Sequence, residues 1–150
     1  MCRELFDRIL VPLDGSEYAE KALVTAIALA QKFSSNIVVV HVILTASAIV
    51  TSPEGVGSSF LIDLRKQLEE TGRQILENGA KKTRAAGIPT ITIEESGNAP
   101  DKILQTAEKT KADLIVIGDR GLGVVARFFL GSVADKVTHY ARCPVLIVRG

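Results

Sequence analysis

The apolar residues of this chain fall into short, unbroken runs, and that grouping restricts its fold more than any other feature. Arg8 to Leu13 (RILVPL), Asn36 to Leu44 (NIVVVHVIL), Leu114 to Ile117 (LIVI) and Val145 to Val148 (VLIV) are β-branched or aliphatic almost throughout, without polar alternation. A strand apolar on both faces belongs in the middle layer of a parallel sheet covered by helices. Thr90 to Glu94 (TITIE) alternates instead, as a half-exposed edge strand does. Four segments with helical spacing lie between these runs: Ser16 to Lys32, opened by a capping serine; Phe60 to Ala86, stopped by Gly87-Ile88-Pro89; Pro100 to Lys109, with proline in the first turn; and Ser132 to Tyr140, read as starting on a capping serine. The strict alternation predicts an α/β fold: a doubly wound, five-stranded parallel sheet with right-handed crossovers and helices on both faces.

The 150 residues suffice for one such unit, and a single domain over 1–150 is expected. Eighteen basic against seventeen acidic residues leave a formal charge of +1, so no global field is available to grip nucleic acid or an anionic membrane. No tryptophan, two tyrosines and five phenylalanines argue against a base-stacking platform. Cys2 and Cys143 form no C-x-x-C pair, which excludes a four-cysteine zinc site and a disulfide framework within one chain. No apolar run approaches the roughly 20 residues of a membrane span, and residues 1–15 do not read as a signal peptide. A cytoplasmic protein is expected, with no nucleic-acid or membrane partner.

Chemistry concentrates between Asp113 and Val148. A buried strand runs into Gly118-Asp119-Arg120-Gly121, and Gly131-Ser132 opens the last helix. Glycines allow backbone N–H groups to approach a phosphate, and a helix start adds free N–H groups, a positive dipole end and a hydroxyl. Together they describe an anion cradle. It is not a P-loop, because neither Gly121 nor Gly131 precedes a lysine. Gly121 to Ala126 matches the loose dinucleotide pattern G-x-G-x-x-[GA], but it stands in the last βα unit, without an acidic residue on a following strand to hold a ribose.

The spacing that matches fully is G-x-x-G, nine residues, then G-[ST], here GDRG, LGVVARFFL, GS. With ILVPLDGSEYAEKAL at the start, a second strand ending VVHVI and a closing ADKVTHYARCPVLIVR, the chain resembles the universal stress protein family over essentially its whole length, and in particular the branch that binds ATP. The resemblance implies a Rossmann-like sheet of order 3-2-1-4-5 and an adenine nucleotide, ATP first, with or without Mg²⁺. It implies that Pro12, Leu13 and Asp14 border the adenosine, that Val42 packs on adenine and that Ile117 closes the pocket. Gly118, Gly121, Gly131, Ser132 and Val133 would line the ribose and phosphates, with Arg120 in the same loop counted among the cofactor-binding residues. Whether Asp14 meets a ribose hydroxyl, helps hold Mg²⁺ or caps the following helix stays open. The resemblance also implies a homodimer through Val145 to Val148.

Two positions depart from the family's pattern. Asp119 puts a carboxylate in the phosphate-facing loop; it opposes the phosphates if it points at them, and does no harm if it turns outward or pairs with Arg120. Ala134 stands where many ATP-binding relatives carry a second hydroxyl. His41 is expected to be a satisfied core histidine, His139 a dipole-complementing residue of the last helix turn, and Glu69, Glu70, Lys81 and Lys82 a solvated helix face. Arg127 is a candidate phosphate reader, and Phe128 and Phe129 are packing or partner residues. The segment 45–59, with Pro53, Gly55 and Gly57, is a flap over the site or a surface insertion. No catalytic triad or paired-carboxylate arrangement can be argued from spacing. The reading is an ATP-binding regulator of the stress response with little or no hydrolysis. Two alternatives are a slow Mg²⁺-dependent ATPase or adenylate-handling enzyme and a dimerising structural module without nucleotide.

Overall fold

A computed structural model describes residues 5–44, 58–122 and 129–150. Its elements alternate as β1 (Arg8–Pro12), α1 (Glu17–Phe33), β2 (Asn36–Ile43), α2 (Ser58–Ala85), β3 (Thr90–Ser96), α3 (Ala99–Thr110), β4 (Leu114–Gly118), α4 (Ser132–Tyr140) and β5 (Val145–Val148). All four strand pairings are parallel, in the order β3-β2-β1-β4-β5. The expected doubly wound sheet and its order are what the structure has.

The unbroken apolar runs have a plain cause. Successive strand residues point to opposite faces, and both faces are covered. Ile9, Val11, Ile37, Val39 and Val116 enter one core with Leu23 and Ala26 of α1 and Leu76 of α2. Leu10, Val38, Val40, Ile115 and Ile117 enter a second core with Ile103 of α3 and Val137 of α4. Each fully buried Ile or Val side chain contributes about 1.5–3 kcal/mol over its exposed state, which holds the register of the three inner strands. At the edges the pattern relaxes: β3 is half exposed along its length, and Leu146 of β5 is 38% exposed.

Element ends follow local chemistry. Ser16 caps α1, accepting from the Ala19 N–H at 3.1 Å. Asn98 caps α3, and proline follows at its first turn. Gly87, at φ +77°, ends the chain's run through α2 where the sequence predicted a stop. β1 ends at Pro12, one residue before the predicted Leu13, because the Leu13 carbonyl is taken by the His41 ring rather than by a sheet neighbour. Two expectations need correction. α4 is capped by Gly131, which has no side chain to cap with, so Ser132 is its first helical residue and not its cap. Ser58 and Ser59, expected in the long loop, belong to α2, while 45–57 lie outside the described residues. Cys2, the weak dinucleotide match from Gly123 onward, Arg127 and Phe128 also lie outside them. Among the described residues no helix is long and apolar enough to cross a membrane.

Candidate functional site

In an open parallel sheet, chains leave neighbouring strands in opposite directions where the order reverses, and a crevice opens at the strands' carboxyl ends. Here that point lies between β1 and β4. A cleft of about 490 Å³ occupies it, reaching across the end of β2 towards α2 and α3.

The floor and one wall are apolar. Pro12 and Leu13 contribute the end of β1, Val42 the end of β2 and Ile117 the end of β4. Leu68 and Ile75 of α2 and Ile103 of α3 complete this half. The opposite wall is backbone and small polar groups: Gly118, Arg120 and Gly121 from the loop after β4, and Gly131, Ser132 and Val133 from the start of α4. Asp14 stands between the halves. All eleven residues singled out in the sequence therefore border one cavity, although they come from four separated stretches of chain.

Gly121 and Gly131 stand where a side chain would meet close neighbours. A Cβ on Gly121 would lie 2.5 Å from Oδ2 of Asp14, so the carboxylate rests against the loop because residue 121 has no side chain. A Cβ on Gly131 would lie 3.0 Å from the Arg120 Cα and 3.2 Å from the Asp119 carbonyl oxygen. There the Gly131 N–H donates to that carbonyl at 2.7 Å and ties the loop to α4. Asp14 accepts the Ser16 N–H on Oδ1 at 2.9 Å, so it braces the turn into α1 while Ser16 itself caps the helix. Its other oxygen faces the glycine loop.

The start of α4 is an anion-compatible end. The first N–H groups of any helix have no partner within it, and here the cap residue, Gly131, has no side chain to accept from them. α1 is the contrast, with Ser16 filling that role. A negative group at Ser132 and Val133 would meet backbone donors and the positive end of the dipole.

Asp119 is 5% exposed and does not border the cleft; its Oδ2 lies 3.6 Å from Nη2 of Arg120. It turns away from the ligand side and pairs with its neighbour, so it does not face a bound ligand directly. Ala134 borders the cleft but is buried in the second core with Ile103 and Val137, where its small side chain is absorbed by packing. His41 is the site residue that sequence reasoning missed. Its Nδ1–H donates to the Leu13 carbonyl at 2.7 Å, as expected of a satisfied histidine, but the ring is only half buried and borders the cleft. Leu68 and Ile75 were missed too, because a helical apolar stripe looks the same whether it covers a core or a cavity. His139 is exposed in the last turn of α4 near Asp135, and Glu69, Glu70, Lys81 and Lys82 lie on the outer side of α2, three of them in surface ion pairs. Phe129 is 70% exposed. Burial raises the Cys143 thiol above its ordinary pKa, which does not suit a nucleophile.

The family model of the universal stress proteins matches residues 5–149. The chain belongs to the universal stress protein family. It is 35% identical over 148 residues to universal stress protein YxiE of Bacillus subtilis strain 168, spanning 97% of this chain and 100% of that one. It is 36% identical over 145 residues to a universal stress protein of Thermus aquaticus, again covering 97% and 100%. Among solved structures, a universal stress protein from Burkholderia pseudomallei superposes with a TM-score of 0.74 at 26% identity over 98% of both chains. Two others share the fold at lower identity. One from Arabidopsis thaliana with AMP bound has a TM-score of 0.68 at 20% identity, covering 95% of this chain and 90% of that one. A universal stress protein in complex with cAMP has a TM-score of 0.69 at 23% identity, covering 96% and 97%.

Proposed function

We propose that the cleft binds an adenine nucleotide, ATP first among the candidates, and that the chain acts as one nucleotide-binding unit whose occupancy regulates a partner in the stress response. The observation that carries this reading is the cleft's division into an apolar half and a glycine-and-helix-start half with Asp14 between them. That is the polarity of a base, a ribose and phosphates in sequence. Pro12, Leu13, Val42 and Ile117 would hold the base. Asp14 would meet a ribose hydroxyl or a phosphate-bound Mg²⁺, and Gly118, Arg120, Gly121, Gly131, Ser132 and Val133 would face the phosphates. The AMP-bound and cAMP-bound proteins of the same fold make adenine nucleotides the class to test first.

Little or no hydrolysis is part of the proposal. Asp119, one of the two carboxylates near the loop, faces away from the cleft, and Asp14 has one oxygen committed to the Ser16 N–H. β5 is the edge strand of the sheet among the described residues, which supports a homodimer through Val145 to Val148, since an apolar strand edge invites pairing. Light scattering of the intact chain tests that part.

The test of the site is to purify the protein without added nucleotide, denature it and identify released small molecules by mass spectrometry, then to measure melting with adenine nucleotides. A ligand at 100 times its Kd stabilises the folded state by about 2.7 kcal/mol. A stoichiometric adenine nucleotide, or a melting shift of that order with millimolar Mg-ATP or AMP, is the expected result. An empty protein unaffected by all of them would leave the structural dimer as the better account. Steady Mg²⁺-dependent phosphate release, lost in Asp14→Ala while binding survives, would instead favour an enzyme.

A further inference from the structure

One pair of charged side chains is left unexplained by nucleotide binding as such. Asp119 is buried and Arg120 largely so, their side chains 7% and 15% exposed, with Nη2 and Oδ2 3.6 Å apart. That is a charge contact too long for a hydrogen bond. Oδ1 of Asp119 and Nε of Arg120 are both buried without a hydrogen-bond partner among the described residues. The guanidinium also lies over the Tyr18 ring, 5.0 Å from its centroid. Buried polar groups are rarely left so incompletely matched, and a mismatch of this kind calls for an explanation.

The two residues differ in what they face. Arg120 borders the cleft, and it is the one Lys or Arg among the described residues that do. Asp119 does not border it. A ligand phosphate at Gly121 and Ser132 would therefore meet a cation already engaged from behind by a carboxylate, with the Asp14 carboxylate also at the cleft. To turn fully to the ligand, Arg120 would leave the buried charge of Asp119 uncompensated.

We propose that Asp119 is a positioning residue that sets the charge preference of the cleft: by holding Arg120 back, it makes the site favour nucleotides of low phosphate charge over a free triphosphate. This rests on the nucleotide reading and narrows it. A monophosphate carries about two negative charges at neutral pH, and a free triphosphate carries more. With one partly neutralised cation facing the phosphates, each added charge gains little, and a triphosphate is accommodated best with its charge masked by a divalent cation.

The experiment is calorimetric titration of the full chain with adenosine, AMP and ATP in EDTA at low ionic strength, for the wild type and Asp119→Asn. The wild type is expected to bind free ATP no more tightly than AMP. Asp119→Asn keeps the side chain's shape and releases Arg120. It should tighten ATP by about tenfold, the order of one incompletely shielded charge pair, tighten AMP less and leave adenosine within about twofold. A purely structural role would move all three ligands together. That outcome overturns the proposal, as does a wild type that binds free ATP more than tenfold tighter than AMP. Binding of none of the three to the wild type would remove the nucleotide reading itself. If the variant does not fold, the salt dependence of the wild type decides. Between about 0.05 and 0.5 M salt, ATP affinity should change little; a severalfold loss would mean that Arg120 is already free for phosphate, against the proposal.

Discussion

Replacing Gly121 by alanine tests whether Asp14 and the glycine loop form one unit. The added Cβ would sit 2.5 Å from Oδ2 of Asp14, whereas carbon and oxygen not joined by a bond rest at about 3.3–3.6 Å. The carboxylate must retreat by roughly 1 Å, since Gly121 has an ordinary backbone conformation and alanine itself is not strained there. Retreat breaks the 2.9 Å bond from the Ser16 N–H to Oδ1. A hydrogen bond to a charged acceptor is worth about 1.5–3 kcal/mol net, and water reaches the half-buried Asp14, so a loss of about 1–2 kcal/mol is expected. For a chain of this size that lowers the melting temperature by roughly 2–8 °C. The decisive assay is a double-mutant cycle in urea with Gly121→Ala, Asp14→Ala and the pair. With the carboxylate gone, Gly121→Ala should cost close to nothing. If it costs the same in both backgrounds, within about 0.5 kcal/mol, the contact between the two is not what makes glycine necessary. AMP binding to Gly121→Ala should weaken along with the loss of the Asp14 position.

Two further outcomes follow from the rest of the structure. Ile115 is fully buried in β4 between β1 and β5, so Ile115→Ala should destabilise by about 2–5 kcal/mol in urea unfolding; a loss below 1 kcal/mol would mean that the second core is not packed as described. Burial holds the Cys143 thiol above the ordinary value of 9.0, so in a Cys2→Ser background it should react with a thiol reagent at pH 8 more slowly than a free cysteine. Below pH 9 both folded and unfolded thiols are protonated and the contribution is constant; as pH rises above that, the unfolded chain loses its proton first and stability falls. A Cys143→Ser variant whose stability declines equally above pH 9 would contradict this.

Much of this molecule was legible from its residues. Each inner strand was visible because burial on both faces leaves an apolar run that no helix period explains, and the start of α1 was visible because Ser16 stands ahead of an alanine-rich stretch. The end of β1 was misjudged by one residue. The competition for the Leu13 carbonyl comes from His41, a side chain on another strand that no local pattern places there. The span Ser132 to Tyr140 was read correctly but its cap was not: serine caps well in general, whereas here Gly131, tied to the Asp119 carbonyl at 2.7 Å, takes the cap position.

The candidate site shows the same division. The glycine spacing marked the loop, and chain-wide resemblance supplied Pro12, Asp14, Val42 and Ile117 as its companions. Alternation of strands and helices is compatible with several strand orders; the resemblance supplied the order that puts β1 beside β4, and the folded sheet sets Asp14 against Gly121. Residue types and their spacing determined which segments are strands or helices and where glycine must stand, because burial and backbone sterics act within a few residues. Tertiary structure alone decided that Asp119 faces away from the cleft while Arg120 borders it, and that His41 borders the cleft as well. Those directions depend on contacts between residues far apart in the chain, which local periodicity does not encode.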